Sequence, residues 1–524
     1  MKVALIAPPY PLEEAPSPPL GICYAAAACE AAGAEVEIFD YIVSEYTHKK
    51  LCRRLDEFMP DVVGATSVTL NFPAGAEIIQ TVKQHNPSII TIMGGPHVSF
   101  NAEETLRYFP EIDAIVIGES ENTLMKWLPA AKDRSAWHDI KGLAFLDNDG
   151  FVTTGPGEFT WNLDSLPLPS RHLLPLSKYK ALGFPISIIT SRGCPNKCIF
   201  CLGRKMVGFK VRYRDPVLVA DEIESIIDNG FERINIADDL FTANKKRVKI
   251  LCEEILNRKL QFGWSAFARV DTVDEETLEI MKKAGCDAVS FGIESGNPEM
   301  LKRVKKRITL DQSRQAVRAC KNVGMLAHAS FMVGLPGETP ETLKDTLNFA
   351  RELDIEHGFH FLAPFPGTTV REHLEEYDLE ILTDNWPRYD ANTAIVKTSH
   401  LTPQEMEDFV TMAYRPIIER WEASKQRYSE GTCTPEESLA VESETRLQLI
   451  YHILSTDLIE EIGHFKNTEN DPVRQLSDRI AEKTDIDESF VHRYLQLWVG
   501  KNYLACATND EHSRWFWVPN NLPR

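Results

Sequence analysis

The 524-residue sequence lacks any apolar run long enough to cross a membrane. A transmembrane helix needs about 18 or more consecutive apolar residues. The N-terminal run is too short for a signal peptide and ends at Pro8 and Pro9. Basic residues are also scarce, with 57 Lys and Arg against 77 Asp and Glu and a net charge of −20. General nucleic-acid binding requires a basic surface that neutralises phosphates, so this balance argues against it.

The sequence also lacks a paired cysteine framework. Its 11 cysteines are an odd number, and eight of them are scattered along the chain. Cys23, Cys29, Cys252, Cys286 and Cys320 fall in apparent helices or at apolar packing positions, so we interpret them as reduced core thiols of a cytoplasmic protein. A chain of this length is too long for one hydrophobic core and indicates three or four domains.

The other three cysteines lie together in one loop. Cys194, Cys198 and Cys201 have the spacing C-x3-C-x2-C and follow an apolar run, residues 184–189, that predicts a buried strand. Thiolates in such a group suit an iron–sulfur cluster or zinc. A structural zinc site needs a fourth ligand, and no C-x2-C or H-x3-H pair follows nearby. We therefore favour a cluster over a zinc loop or three unrelated buried cysteines.

This loop, with Phe200 immediately before its third cysteine, resembles the signature of the radical S-adenosylmethionine (SAM) enzymes. The resemblance implies that Cys194, Cys198 and Cys201 hold three irons of a [4Fe–4S] cluster while SAM chelates the fourth. Reduction of the cluster would then cleave SAM to methionine and a 5′-deoxyadenosyl radical. It also implies an electron donor such as flavodoxin or ferredoxin.

Five apolar runs alternate with helical segments before the cysteine loop, at residues 2–7, 36–40, 61–66, 89–95 and 114–118. This pattern predicts a parallel, doubly wound sheet. Such sheets bind ligands at the carboxyl ends of their strands, where small residues allow a close approach to the backbone. The residues at those ends are Pro9, Tyr10, Thr66, Ser67, Gly94, Gly95, Pro96, His97, Gly118 and Glu119.

Placed ahead of the cysteine loop, these strand ends resemble the cobalamin-binding domain of cobalamin-type radical SAM proteins. The resemblance covers about residues 1–130 and implies that the strand-end residues contact cobalamin. The pattern D-x-H-x-x-G is absent, and the nearest string, Asp510-Glu511-His512, lies elsewhere. We therefore expect no histidine on cobalt and interpret His97 as a hydrogen-bonded loop residue. An empty relic of the same fold is the alternative.

Six further βα units over residues 184–375 predict a partial barrel with its chemistry at the carboxyl ends of the strands. Polar groups recur at these ends, although each one alone also suits a solvated strand end. The resemblance implies that Asp238 and Asp239 face the methionine ammonium, Arg269 the carboxylate, Glu294 and Ser295 the ribose, and the turn with Gly334 and Pro336 the adenine. For Glu338, a helix-terminus role competes with a ligand role.

The remaining segments complete an α/β architecture. We predict a cobalamin-binding-like domain over 1–145, a proline-rich linker over 146–183, the radical SAM core over 184–400 and a helical extension over 401–435. Residues 436–524 outline a winged-helix-like domain, but their 16 acidic and 9 basic residues favour a docking or substrate-covering module over a DNA reader. The basic run 302–307 is interpreted as a solvated helix end.

The resemblance favours a cobalamin-dependent radical SAM methyltransferase that acts on an unactivated carbon of a small molecule or peptide. In that scheme, cobalamin accepts a methyl group from one SAM, and a second SAM provides the radical that removes a substrate hydrogen. An anaerobic oxidative cyclase or ring-rearranging enzyme would use the same two domains without methyl transfer. A cluster-containing winged-helix regulator is the alternative outside catalysis.

Overall fold

The computed structural model describes residues 1–466, 471–509 and 511–519. Its first unit is a seven-stranded sheet in the order β2-β1-β3-β4-β5-β6-β7, in which β1 to β5 are parallel. The strands are β1 (Lys2–Ala7), β2 (Glu35–Asp40), β3 (Val62–Thr66), β4 (Ile90–Gly94), β5 (Ala114–Val116), β6 (Leu143–Asp147) and β7 (Gly150–Thr153). The α-helices are α1 (Leu20–Ala31), α2 (His48–Phe58), α3 (Phe72–His85), α4 (Pro96–Phe100), α5 (Ala102–Tyr108) and α6 (Glu121–Trp127).

The antiparallel hairpin β6–β7 extends this sheet beyond the five predicted strands. It ends at Thr153, so the first domain runs past residue 145 into the segment predicted as a linker. The residues of β7 are half-buried or exposed, and a strand of this kind gives no apolar run from which it can be recognised. Helix α7 (Leu176–Leu182) then precedes the second sheet.

The second unit is the predicted partial barrel, with six parallel strands in the order β15-β14-β13-β12-β11-β8. They are β8 (Ile186–Ile188), β11 (Arg233–Ile236), β12 (Gly263–Ala268), β13 (Cys286–Glu294), β14 (Leu326–Val333) and β15 (Glu356–Phe361), with a side ladder of β9 (Ser191–Arg192) and β10 (Arg212–Tyr213). The helices are α8 (Gly203–Val207), α9 (Pro216–Asp228), α10 (Lys245–Asn257), α11 (Glu275–Lys283), α12 (Pro298–Arg303), α13 (Leu310–Asn322), α14 (Pro340–Leu353) and α15 (Thr369–Glu372).

The rest of the chain forms a helical extension and a small terminal unit. After the ladder β16 (Glu380–Ile381) and β17 (Val396–Lys397), the elements are α16 (Pro403–Ser429), α17 (Pro435–Ser455), α18 (Leu458–Ile462), β18 (His464–Lys466), α19 (Pro472–Thr484), α20 (Glu488–Gly500), β19 (Leu504–Thr508) and β20 (His512–Trp517). The sheet order β18-β20-β19 adds one strand to the predicted helices and hairpin. Residues 467–470, 510 and 520–524, included in the predicted domain, lie outside the described residues.

The terminal unit packs on α7 and on the N-terminal ends of the barrel strands. Leu449 and Ile453 of α17 share a core with Tyr179 and Leu182 of α7. Lys501 pairs with Glu232, which immediately precedes β11. The predicted chemistry lies at the opposite ends of these strands, so this position does not support a substrate-covering role, and a docking role stays a prediction.

Two further observations concern the residues that the structure describes. No helix among the described residues has the length and apolarity needed to span a membrane. All eleven cysteines belong to the described part of the chain, and none is in a disulfide.

Candidate functional site

The carboxyl ends of the two parallel sheets meet at one cavity of about 330 Å³. Thr66, Gly94 and Gly118 line it from the first sheet, and Ala237 and Asp239 line it from the end of β11. The predicted cobalamin crevice and the end of β11, where Asp239 is one of the predicted SAM contacts, therefore open onto the same space. The predicted SAM contacts on the later barrel strands, Arg269, Glu294, Ser295, Gly334 and Pro336, do not line this cavity. Two domains that were inferred separately form one site.

Glycines leave room for a bulky group along this cavity. A Cβ on Gly21 would meet no atom within 4 Å, and a Cβ on Gly94 would lie 3.9 Å from the nearest one, the carbonyl oxygen of Val116. Gly95 differs, because its φ is +102° and a Cβ there would clash with the backbone of Ser67. Gly95 is thus required by the fold itself, whereas Gly21 and Gly94 form a cradle that fits part of a large cofactor.

Four of the predicted cobalamin contacts, Pro9, Tyr10, Ser67 and His97, do not line the cavity, whereas Pro96 and Glu119 do. Ser67 is buried behind Gly94, to which its backbone N–H donates at 3.1 Å. Glu119 faces the cavity, but its carboxylate is ion-paired with Arg192 and Arg212. The strand ends are therefore divided between a lining layer and a supporting layer behind it.

His97 belongs to an aromatic cluster behind the cavity. Its ring stacks on Phe72 at 4.2 Å and meets Trp386 edge-on at 4.9 Å. Its Nδ1 lies 3.4 Å from Thr69 Oγ1. Burial, with a smaller effect of Arg371, lowers its pKa to about 4. His97 is therefore a neutral residue hydrogen-bonded to Thr69, and it lies in helix α4 where we had expected a loop. The absence of a histidine ligand on cobalt stays a prediction.

The predicted cluster cysteines lie on the loop between β9 and α8, next to this cavity. Two backbone N–H groups fix the start of the loop: Gly193 N donates to the carboxylate oxygen Oδ2 of Asp239 at 3.1 Å, and Cys194 N donates to the carbonyl oxygen of Gly208 at 3.1 Å. Burial raises the pKa of Cys201 to about 11, and Cys198 and Cys194 add to this effect because they are close by. A positive iron centre is the kind of partner that would favour the thiolate form.

The spacing of the three sulfur atoms bears on the choice between zinc and a cluster. Thiolates on one tetrahedral zinc would lie about 3.8 Å apart, given Zn–S bonds of about 2.3 Å. Across the described residues, the group of ligand atoms found within 4.8 Å of one another contains none of these cysteines. The three sulfur atoms thus do not all lie within 4.8 Å of one another, and three thiolates on one loop are a donor set that fits an iron–sulfur cluster.

The two neighbouring acids at the end of β11 have different surroundings. Asp238 is buried, and its carboxylate accepts hydrogen bonds from Thr190 N and Oγ1 and from Ser191 Oγ, each at 2.6 Å. Asp239 lines the cavity and accepts one hydrogen bond from the loop, from Gly193. Asp238 thus supports the strand before the loop, and Asp239 is the acid that remains available to a ligand.

Glu294 has a strained backbone at the end of β13, with a φ of +73° and a register shift against β14. Such conformations in non-glycine residues cluster at functional sites. Its carboxylate pairs with the buried Lys306 at 2.6 Å. The Lys306 amine lies 6.0 Å from the centre of the Phe200 ring.

Lys306 is a site residue that sequence reasoning missed, because it belongs to the basic run interpreted as a solvated helix end. Lys305 and Arg307 on either side of it have φ values of +56° and +57°. This turn directs Lys306 inward while its two neighbours stay exposed. Burial raises the pKa of Cys198, whereas Lys306 and Arg269 act in the opposite direction. No local signal in the sequence marks such a turn.

The remaining predicted SAM contacts are already engaged within the protein. Arg269 forms a two-pronged ion pair with Asp271, at 2.9 and 3.0 Å, and donates to the carbonyl oxygen of Lys306. Ser295 is buried, and its hydroxyl accepts from Asn297 N and lies 3.1 Å from Thr346 Oγ1. Arg269 is thus held beside the cysteine loop, and Ser295 serves the loop that leads to α12.

The turn predicted to contact adenine is held by a buried acid. Glu338 Oε2 accepts from the N–H groups of Gly334 and Leu335 at 2.6 and 3.2 Å. The carbonyl oxygen of Pro336 in this turn accepts from Arg303. Burial raises the pKa of Glu338 to about 8, although the two backbone donors oppose the shift. Glu338 therefore shapes the turn from inside.

Comparison with known families matches both parts of this site. Residues 188–350 match the radical SAM superfamily, and residues 14–128 match the B12 binding domain. An uncharacterized methyltransferase of Pyrococcus horikoshii is 35% identical over 422 residues, which cover 79% of this chain and 92% of that protein. The anaerobic magnesium-protoporphyrin IX monomethyl ester cyclase of Rubrivivax gelatinosus is 31% identical over 415 residues, with coverage of 76% and 73%.

A solved structure shares the overall fold. The cobalamin-dependent SAM radical enzyme OxsB, with aqua-cobalamin and SAM bound, superimposes with a TM-score of 0.70 at 19% identity. The match covers 95% of this chain and 79% of that one. The order of a B12-type sheet, a partial barrel and a C-terminal helical unit is therefore common to both.

Proposed function

This chain belongs to the radical SAM enzymes with a B12 binding domain, and within that family we propose that it is a methyltransferase acting on an unactivated carbon. The observation that carries the proposal is the single cavity shared by the two sheets. A methyl donor in the first sheet and a radical source in the barrel can serve one substrate only if they face the same space.

We assign the cofactors to residues as part of the same proposal. Cys194, Cys198 and Cys201 would hold the cluster, and Gly21 and Gly94 would border cobalamin. When bound, the cluster and SAM supply a carbon-centred radical, and cobalamin supplies a transferable methyl group.

The protein's own residues then position and shield these groups. Asp239 has the free carboxylate that suits the methionine ammonium, and it also holds the cysteine loop through Gly193. The Glu294–Lys306 pair lies where the ribose hydroxyls are expected. Arg269, held by Asp271, provides positive charge beside the cysteines. A cytoplasmic location and a flavodoxin- or ferredoxin-like electron donor are part of the proposal.

The test uses the anaerobically reconstituted full-length protein with SAM that carries a deuterated methyl group. We expect the label to appear on added cobalamin and, in the presence of a cell extract, in a product that mass spectrometry finds heavier by one labelled methyl. A protein that forms 5′-deoxyadenosine without moving the label would instead support the cyclase alternative. That alternative is favoured by the 31% identity to the Rubrivivax gelatinosus cyclase.

A further inference from the structure

The inner face of the partial barrel is polar, which is unusual for a barrel of parallel strands. Side chains alternate along each strand, and one set, including Val289, Phe291, Ala329 and Phe331, is buried in the core shared with the surrounding helices. The interiors of closed barrels of this kind are packed with Val, Ile and Leu. The alternate set here consists of polar or small residues with few exceptions: Asn235, Ser265, Ser290, Gly292, His328, Ser330, Gly358 and His360.

Strand register arranges three of these residues in one row across the inner face. Gly292 of β13 pairs with Ser330 of β14, which pairs with Gly358 of β15. Neighbouring strands lie about 4.8 Å apart, so the row spans about 10 Å. The Glu294–Lys306 ion pair occupies the space above Gly292, since a Cβ there would lie 2.6 Å from Glu294 Oε1 and 3.0 Å from Lys306 Nζ. The opposite end of the row, at Gly358, is bordered by two histidines.

These histidines, His328 and His360, lie on either side of Gly358. A Cβ on Gly358 would be 3.4 Å from His360 Nε2 and 3.6 Å from His328 Nε2. Within residues 1–466, 471–509 and 511–519, neither ring forms a hydrogen bond or an ion pair, and the hydroxyl of Ser330 between them forms no hydrogen bond. Two imidazoles and a hydroxyl without protein partners therefore face the space above Gly358, with His328 and Ser330 half-buried and His360 exposed.

The surroundings favour an anion over a metal ion in this space. Among the described residues, the candidate metal-ligating group includes neither histidine. Glu356 pairs in register with His328, and its side chain is exposed. Burial lowers the pKa of His328, with Glu356 opposing and His360 and His357 adding to the effect. An anion between the rings would offset this loss of charge.

We propose that His328 and His360 bind an anionic oxygen group of the substrate, a carboxylate or a phosphate, above Gly358. This inference rests on the proposed function, because it places the substrate inside the barrel. Anchoring at β14 and β15 directs the rest of the substrate across Ser330 towards Glu294 and Lys306, and so towards the cysteine loop. The two histidines are substrate-binding residues in this proposal and take no part in bond making.

The test measures anion binding to the full-length protein by calorimetry. The buffer contains a metal chelator, and chloride keeps the ionic strength constant. Sodium phosphate and sodium acetate are the two probes. We expect one saturable site for at least one of them, weakened about tenfold or more in the His328→Gln/His360→Gln double variant. Gly358→Ala should also weaken it, because its Cβ occupies the space between the rings and no positive φ makes alanine strained there. His400→Gln, at an exposed histidine, is the matched control.

The outcomes separate the two anion sources. Preference for phosphate would indicate a phosphate ester or phosphonate substrate, and preference for acetate would indicate a carboxylate. Equal binding by wild type and the double variant, or no saturable site for either anion, would overturn the proposal. Because the assay needs neither SAM cleavage nor label transfer, failure of the methyltransferase proposal would leave this result intact, and the reverse also holds.

Discussion

Arg192, on the strand that leads into the cysteine loop, donates to Glu121 of the first domain at 2.6 Å. The two side chains are 8% and 4% exposed. Burial alone would lower the pKa of Arg192, but Glu121 and Glu119 raise it overall. The guanidinium also lies 4.9 Å from the centre of the Tyr24 ring on α1. The cysteine loop is therefore attached to the B12-type domain through a buried ion pair, and the loss of either partner would leave the other charge buried and unpaired.

Replacement of Arg192 by Met should strongly destabilise the contact between the two domains. Loss of one partner leaves Glu121 buried and unpaired, which typically costs about 3–5 kcal/mol. We expect a lower midpoint for the first transition in urea. Lys126→Met is the matched control, since its pair with Glu158 is 55% and 63% exposed and should contribute at most about 1 kcal/mol. Equal losses in the two variants would contradict the assignment.

Replacement of Cys194, Cys198 and Cys201 by alanine should abolish both the cluster absorbance and the formation of 5′-deoxyadenosine. The reason is that these thiols form the one compact cysteine group in the sequence. Cys433→Ser is a suitable control, because that thiol is partly exposed and distant in sequence. Cys286 and Cys320 should also be dispensable for the cluster, but they are buried, and a serine there would place a hydroxyl in the core. A triple variant that still cleaves SAM reductively would refute the ligand assignment.

The sequence was sufficient to predict the alternating strands and helices of the two sheets. It was not sufficient to predict site residues whose orientation is set by one turn or by a contact with a distant segment. Continuous apolar runs identified β1 to β5, because strands buried on both faces leave that pattern. The alternation of strand and helix segments identified the six barrel strands, whose inner face is polar. The spacing of the cysteines identified the loop. The sequence did not indicate that Asp238 is buried and Asp239 lines the cavity, because two adjacent residues of the same type cannot be told apart by residue type or by the neighbouring sequence. Asp238 is bound by Thr190 and Ser191, which follow β8, the strand paired with β11, whereas Asp239 accepts from Gly193.

Lys306 illustrates the same limit. Six consecutive positions, 302–307, carry five basic residues, which on composition alone suits a solvated surface. Two left-handed backbone conformations, at Lys305 and Arg307, bring the lysine between them into the site. Glu294, its partner, was recognisable only through the family resemblance. An ion pair between residues on two separate elements is a tertiary feature, and no local pattern encodes it.

Glu338 should make a contribution to the stability of the protein that falls as pH rises from about 4.5 to about 8. Burial raises the pKa of this carboxyl from 4.5 to about 8 in the folded state. Between these values the folded state binds the proton more strongly than the unfolded state does, so unfolding becomes easier by up to about 1.4 kcal/mol per pH unit. Glu338→Gln mimics the neutral form and should flatten this part of the profile.

Comparing the unfolding midpoints of wild type and Glu338→Gln at two pH values tests whether ionisation of Glu338 destabilises the folded state. The two proteins should have similar unfolding midpoints near pH 5, and the variant should be the more stable one near pH 8. Glu341→Gln controls for a change of charge on the same segment, because that side chain is exposed on α14. A variant that is less stable than wild type at pH 8 would show that the ionised carboxylate is well accommodated.

The electron paramagnetic resonance spectrum of the cob(II)alamin-bound protein should show no nitrogen splitting from a histidine. His97 is the one histidine among the predicted cobalamin contacts, and its ring stacks on Phe72 and meets Trp386 edge-on instead of lining the cavity. His97→Phe preserves an aromatic ring in this cluster and should leave the spectrum unchanged. A splitting in the wild type that disappears in His97→Phe would place the histidine on cobalt after all.

Replacement of Gly21 by Phe should block cobalamin binding while the cluster is retained. Gly21 lies in the first turn of α1, lines the shared cavity, and has no atom within 4 Å of where its Cβ would be. The phenyl ring can therefore enter the cavity without straining the helix, whereas any side chain on Gly95 would disturb the fold. Gly500→Phe, also with open space around its Cβ but at the end of α20, is the matched control. After anaerobic reconstitution and gel filtration, Gly21→Phe should retain iron and sulfide but lose bound cobalamin, and Gly500→Phe should retain all three. Normal cobalamin content in Gly21→Phe would mean that the cofactor does not occupy this cavity.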